Sequence, residues 1–446
     1  MIVKNFRAKK VFGYLDFNID FKKDISFLVG GNGTGKTTAL KLMNALVTPS
    51  FKDLLQISFE HIELELEENG EIIVITSDQE HDKKTLKVNS LDSEIVFPTY
   101  ADLEFDYFSR NAEKINDIVE SVNRDFSDHE VVEKITTIST PIFLGLDRRR
   151  EGSAHSGNDY FFEREVFLRE SSKRSRTARR LIKGSLGVSL MEIEFLVQNA
   201  YKRLRVLEER QSDKLRDAIL ASTFQYSMFA AQDLDVESIS WTEKTKLIQR
   251  QAEIKEALSK IGIKGSRLGI EVDKFFEKLT NLFEQLQEGE KGISLEWLMN
   301  KAQIERMSSI VDIVDDHKSK IDTLFKPIND FISTINSFYS ESNKSVEIDA
   351  VGQLLVRRPN GKTCTIESLS SGERQLLIIF AHAYLNLDKS KKNVFIIDEP
   401  ELSLHLRWQE KFAEIVLDLS KKSQFILATH SPEIVGRYKN KVVKCR

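Results

Sequence analysis

The chain has 446 residues, room for two or three domains, and its 41% hydrophobic and 30% charged content suits a globular protein with a sizeable core. A formal net charge of -4 argues against a globally basic nucleic-acid binder, though it leaves room for local basic patches. Two cysteines without metal-ligand spacing, Cys364 and Cys445, point to a reducing, cytoplasmic setting; no stretch reaches the ~20 apolar residues of a membrane helix, and no signal peptide precedes the strand-like opening at Met1.

Gly13 to Phe21 alternates apolar and polar residues, the mark of a half-buried strand. Ile25-Ser26-Phe27-Leu28-Val29 is an apolar run suited to a buried strand, and it leads into Gly30-Gly31-Asn32-Gly33-Thr34-Gly35-Lys36-Thr37. That stretch matches the P-loop pattern G-x-x-x-x-G-K-[ST]. Thr38 to Leu46 behind it has helical composition, with Leu42 and Leu46 on one face, so the strand–loop–helix context the motif requires is present. The glycines let the backbone curl until successive N–H groups point at a polyphosphate, and the helix adds its positive N-terminal end. The expected nucleotide contacts are Asn32, Gly33, Thr34, Gly35, Lys36, Thr37 and Thr38. Lys36 would reach the β- and γ-phosphates of ATP, and the Thr37 hydroxyl would ligate Mg²⁺.

After this helix, His61 to Glu67 alternates again, Asn69-Gly70 supplies a hairpin turn, and Ile72 to Ile75 returns. Residues from about 101 to 135 read as helical, and Ile135 to Leu144 as a strand rejoining the core. Two basic clusters follow, Arg148-Arg149-Arg150 and Lys173 to Lys183 with Arg174, Arg176, Arg179 and Arg180, separated by a Gly/Ser-rich stretch. They suit phosphates of nucleic acid or an acidic protein face, and equally a solvated charge run. From about 187 to 340 the chain reads as helical. Ile254, Leu258 and Ile261 share one face, Phe275, Leu279, Leu282 and Leu286 another, and glycines between them predict a helical hairpin. A later stripe through Val311, Val314, Ile321, Ile328, Ile332 and Ile335 crosses Pro327, which is expected to kink it.

Val346 to Ile348 and Leu354 to Arg357 read as strands, and Leu376 to Phe380 as part of a helix. Asn393 to Ile397 is an apolar strand ending in Asp398 and Glu399. Asp398 fits a Walker B aspartate holding Mg²⁺, and Glu399 the base that orients and deprotonates an attacking water. Leu369-Ser370-Ser371-Gly372-Glu373-Arg374-Gln375 resembles the ABC-type signature, with a serine for its usual first glycine. Phe425 to Thr429 is another apolar strand, and His430 at its end is placed like the switch histidine of that class. Glu399-Pro400-Glu401-Leu402-Ser403-Leu404-His405 resembles the D-loop of RecF-like and OLD-like proteins. The chain thus resembles an ABC-type ATPase of the SMC/RecF/OLD-like group, and in particular the ATPase subunits of two-gene anti-phage systems such as PARIS or Septu.

The resemblance implies an α/β fold: a P-loop NTPase head, with a mixed central sheet plus an antiparallel N-terminal sheet, carrying a large helical insertion. The expected organisation is an N-terminal lobe over 1–145, the insertion over 146–342 and a C-terminal lobe over 343–446. No glutamine follows the strand near residue 144, so the Q-loop has no assigned residue; Asp147 is a weak substitute. The chain also leaves no room after His430 for the toprim domain of full OLD-type nucleases. In this class Ser370 and the Gly372 N–H reach the γ-phosphate held by another protomer, so composite ATP sites imply a homodimer or higher homo-oligomer. His430 is expected to sense the γ-phosphate, or else to be a neutral packing residue at a strand end. Two functions follow: an ATP-hydrolysing switch for a separate, nuclease-type effector in anti-phage defence, or a RecF-like repair ATPase clamping duplex DNA. No membrane partner is expected.

Overall fold

The computed structural model describes residues 1–48, 51–99, 112–139, 141–144, 186–223, 248–260, 266–287, 295–385, 393–419, 421 and 423–445. Both basic clusters, Asp147, Gly262 and Gly265 lie outside the described residues. What is described divides into two compact units, Met1–Val197 with Phe331–Arg446, and Gln198–Asp330.

The first unit opens with β1 (Ile2–Val11), β2 (Leu15–Asp20), β3 (Ile25–Val29), α1 (Lys36–Val47) and α2 (Phe51–Gln56). β4 (His61–Glu68), β5 (Glu71–Glu80), β6 (Lys83–Val88) and β7 (Glu94–Pro98) follow. Six of these strands form an antiparallel sheet in the order β2-β1-β4-β5-β6-β7. The β4–β5 turn uses Asn69 (φ 54°) and Gly70 (φ 87°), the left-handed pair that the Asn-Gly signal predicts. Along β4 the apolar Ile62, Leu64 and Leu66 are fully buried, while the alternating glutamates face out to pair with Lys4 and Arg7.

α3 (Ala112–Asp125) and α4 (Glu130–Thr137) come next, then β8 (Ile142–Leu144). The strand expected over Ile135 to Leu144 is therefore confined to its last three residues. Its first part is helix because Val131 and Ile135, four apart, both reach zero exposure on one face, and His129 caps the start by accepting the Val131 N–H. The unit continues in the first turns of α5 (Leu186–Thr223), and resumes after α6 (Gln251–Lys260), α7 (Ser266–Gln287) and most of α8 (Leu295–Tyr339). The final elements are β9 (Ser345–Ile348), β10 (Leu354–Arg357), β11 (Thr363–Cys364), α9 (Ser371–Leu385), β12 (Val394–Asp398), α10 (Leu406–Leu419), β13 (Gln424–Thr429), α11 (Pro432–Val435) and β14 (Val442–Lys444).

The central sheet runs β14-β3-β13-β12-β8, parallel at every described pairing. It is buried on both faces, which is why its strands read as unbroken apolar runs. The period of two sorts them. Val394, Ile396, Ile426, Ala428 and Leu28 join the core shared with α1 and the antiparallel sheet. Phe395, Ile397, Phe425, Leu427 and Phe27 join the core beneath α9, α10 and the last turns of α8. Phe395 and Phe425, directly paired in register, stack at 4.8 Å. Buried Gln424 ties the two sheets: its Oε1 accepts the Val3 N–H at 2.7 Å, and its Nε2 donates to Val3 O and Lys22 O.

The second unit is helical. Leu215, Ile219 and Val314 form one apolar cluster, and Arg250 forks onto Asp315 while also holding Glu253. Gln251 and Lys255 both reach Asp273, which ties α6 to α7. α8 stays continuous through Pro327. Val311, Val314, Ile328 and Ile335 of the expected stripe are buried.

Candidate functional site

The parallel sheet delivers the candidate residues to one end of its strands. β3 ends at Val29, and the chain bends through Gly30 to Gly35 before α1 starts at Lys36. Gly35 has φ 88°, and a Cβ there would sit 2.7 Å from the Phe17 ring, so both conformation and space require glycine. Thr34 closes the loop, its hydroxyl donating to Gly31 O at 2.9 Å. Lys36 is buried, with Nζ donating to Gly30 O (2.9 Å) and Gly31 O (3.3 Å). The same Nζ lies 2.5 Å from Nε2 of His430, which arrives from the end of β13. Burial draws the Lys36 ammonium below its usual range, against the pull of Cys445, Glu399, Asp398 and Glu401 nearby. Asn32 and Gly33 are exposed on the loop, Thr37 is exposed at the start of α1, and Thr38 is half-buried behind it.

Asp398 closes β12, between β13 and β8, and is 9% exposed. Burial pushes its carboxyl above the usual range; the Thr37 hydroxyl, hydrogen-bonded to it, acts the other way. Its Oδ1 is buried with no hydrogen-bond partner among the described residues. An orphaned carboxylate oxygen beside the threonine hydroxyl that follows the glycine-rich loop fits a divalent cation. No cluster of three or more His, Cys, Asp or Glu among the described residues could hold a metal by itself. The remaining ligands would be phosphate and water, as Mg²⁺ prefers. Glu399 follows with φ 48°, a left-handed conformation that is uncommon outside glycine. Its N–H donates to Ala428 O at 2.8 Å, which extends the β12–β13 ladder by one residue and fixes where the carboxylate departs.

Ser370 and Gly372 lie elsewhere. They line a groove of about 330 Å³ with Glu341, Ser342, Ser403, His405 and Trp408, which includes none of the P-loop group. Gly372 lies against the backbone of the D-loop, where an added Cβ would be 2.3 Å from Ser403 O. The start of α9 is a capping box: the Ser370 hydroxyl accepts the Glu373 N–H (3.4 Å), and Glu373 accepts the Ser370 N–H (2.8 Å). Lys344 and Ser342 also bind that carboxylate, and the Tyr339 hydroxyl donates to Glu373 O. His382 is buried in α9, its imidazole pushed down to about 4 by burial.

Three polar residues of the site received no role in the sequence reading, although Gln375 and Glu401 lie within the signature-like and D-loop-like stretches. Glu401 accepts from the Thr429 hydroxyl and the His430 N–H; Gln375 Nε2 donates to Pro400 O; Gln409 Nε2 donates to Leu404 O and its Oε1 accepts from Ser431. The Ser370-x-x-Glu373 spacing was the one local signal that could have announced the cap.

The sequence model of the family described as AAA ATPase domain matches residues 1–435. The probable ATPase of retron Vc95 from Vibrio cholerae serotype O1 biovar El Tor is 25% identical over 168 residues, covering 34% of this chain and 32% of that protein. The endonuclease GajA of Bacillus cereus strain VD045 is 24% identical over 186 residues, covering 38% of this chain and 30% of that protein. The chain thus spans about a third of the length of the curated relatives it matches. Among solved structures, an Smc head domain with an extended coiled coil from Pyrococcus furiosus aligns with 99% of this chain and 95% of its own. The identity is 14% and the TM-score 0.38. Among the described residues, no helix is long and apolar enough to cross a membrane.

Proposed function

The chain belongs to the AAA ATPase domain family, and on that footing we propose that it hydrolyses ATP and uses ATP-dependent head-to-head assembly to switch a separate, nuclease-type effector in anti-phage defence. The observation that carries this reading is the meeting of Lys36, Thr37, Asp398 and His430, drawn from three distant stretches, at one glycine-rich loop.

The roles on this reading are as follows. The N–H groups of the loop and the start of α1 receive the phosphates, and the Lys36 ammonium exchanges His430 for the β- and γ-phosphate oxygens. Asp398 and Thr37 would hold Mg²⁺, whose chemistry is to neutralise charge on the β- and γ-phosphates. Glu399 takes the proton of the attacking water, and His430 faces the γ-phosphate. Ser370 and Gly372, on their own groove, serve the nucleotide of a second protomer, with the α9 N-terminus adding its dipole. The triphosphate then stabilises the closed pair and the diphosphate much less, which makes hydrolysis a release step. Support for an effector comes from the resemblance to two-gene systems and from relatives named as a retron ATPase and an endonuclease.

The test is Glu399→Gln, which keeps the side chain's shape and removes the base. Steady-state hydrolysis is expected to fall by roughly 10²-fold or more with ATP still bound. A normal rate in that variant would make Glu399 a structural carboxylate.

A further inference from the structure

Glu401 lies two residues beyond the proposed base and is not among the expected nucleotide contacts, yet both its oxygens are committed. Oε1 accepts the His430 N–H at 2.6 Å, and Oε2 accepts the Thr429 hydroxyl at 2.8 Å. Thr429 is fully buried, and its hydroxyl in turn accepts the Ser431 N–H at 3.0 Å. The carboxylate therefore grips the chain where β13 ends and sets the backbone from which the His430 ring reaches Lys36.

The loop that carries Glu401 is itself held at both ends. Gln375 of α9 donates to Pro400 O at 3.0 Å, and Gln409 of α10 donates to Leu404 O at 2.9 Å. Gln409 also accepts from the Ser431 hydroxyl at 2.6 Å, a second tie between this loop and the segment after His430. At the far end, Ser403 O packs on Gly372 too closely for any side chain to intervene. One loop thus spans from the groove holding Ser370 and Gly372 to the residue facing Lys36.

We propose that Glu401 is a positioning residue: its carboxylate fastens the loop after Glu399 to His430, so that a displacement of this loop at the Gly372 groove moves the histidine at the same chain's phosphate cradle. This rests on the ATPase reading given above for the roles of Glu399 and His430. Glutamine at 401 keeps the volume but removes the charge, so the charge-assisted tie to the His430 N–H becomes a neutral one and the Thr429 hydroxyl must turn to accept from the amide. Valine at 429 removes the second tie to the carboxylate, and with it the acceptor of the Ser431 N–H, and leaves the carboxylate and its bond to the His430 N–H in place.

The experiment is a double-mutant cycle on the full chain, comparing Glu401→Gln, His430→Ala and the pair, with ¹³C-histidine NMR of the nucleotide-free protein alongside. The His430 resonance is the one that disappears in His430→Ala. Glu401→Gln is expected to lower kcat about tenfold or more with ATP affinity within about twofold of the parent, and to have no further effect once His430 is alanine. It should also shift the His430 resonance, and Thr429→Val should shift it in a protein that remains folded. Additive losses in the cycle, or an unmoved resonance in both variants, would overturn the proposal. If the parent protein hydrolyses no ATP, the ATPase reading fails, and the resonance alone then decides the role of Glu401.

Discussion

Lys36 has more partners than it can keep. Its ammonium is satisfied by Gly30 O, Gly31 O and the His430 ring, so a phosphate competes with contacts already made. A buried ammonium with a lowered pKa carries a desolvation penalty, and an arriving polyphosphate relieves it with far stronger charge-assisted bonds. Lys36→Ala is therefore expected to weaken ATP binding by about 10²-fold or more in titration calorimetry. Its thermal unfolding should stay cooperative, because alanine leaves the helical start of α1 intact. Normal affinity in a folded variant would remove the P-loop from the account. The letters Lys36, Thr37, Asp398 and Glu399 were readable because each belongs to a short pattern whose spacing fixes its own backbone. Glu401 was not, since its partners lie 28 and 29 positions further along and only the β12–β13 pairing brings them near.

At the scale of elements, the start of α9 depends on one buried glutamate. Burial works against the Glu373 carboxylate, but the Ser370 N–H, Lys344 and Ser342 outweigh it and hold its carboxyl below the usual value of 4.5. A carboxyl lowered in the folded state contributes stability above its unfolded value, and that contribution is lost as pH falls through the folded value. Urea unfolding should therefore show stability declining as pH drops below about 4.5. Glu373→Gln should cost about 2 kcal/mol at neutral pH, discounted because Lys344 is partly open to water, and should flatten that acid decline. An unchanged slope would place the pH dependence in other carboxylates. Strands β3, β12 and β13 were legible as apolar runs because both faces of the sheet are covered. Only the end of the helix Glu130–Thr137, Ile135 to Thr137, was misread as strand, because its Ile and Thr residues favour strands locally and only packing of Val131 and Ile135 decides for helix.

For the whole molecule, the proposed reading turns on one chain carrying two half-sites in two places. Lys36, Asp398, Glu399 and His430 gather at the P-loop, while Ser370 and Gly372 open onto a separate groove with Ser403, His405 and Trp408. On the proposed reading such a half-site is completed by a second copy, so the account requires nucleotide to change the number of chains in solution. The Glu399→Gln protein should hold that state, since it keeps the ATP contacts and loses the step that ends them. Sedimentation velocity on this variant, with Mg-ATP, with Mg-ADP and without nucleotide, is the direct measurement. The account predicts that ATP alone at least doubles the sedimenting mass, and that adding Ser370→Arg abolishes the gain while ATP remains bound. A protein that binds ATP at Lys36 and sediments as the same single chain in all three conditions would contradict it.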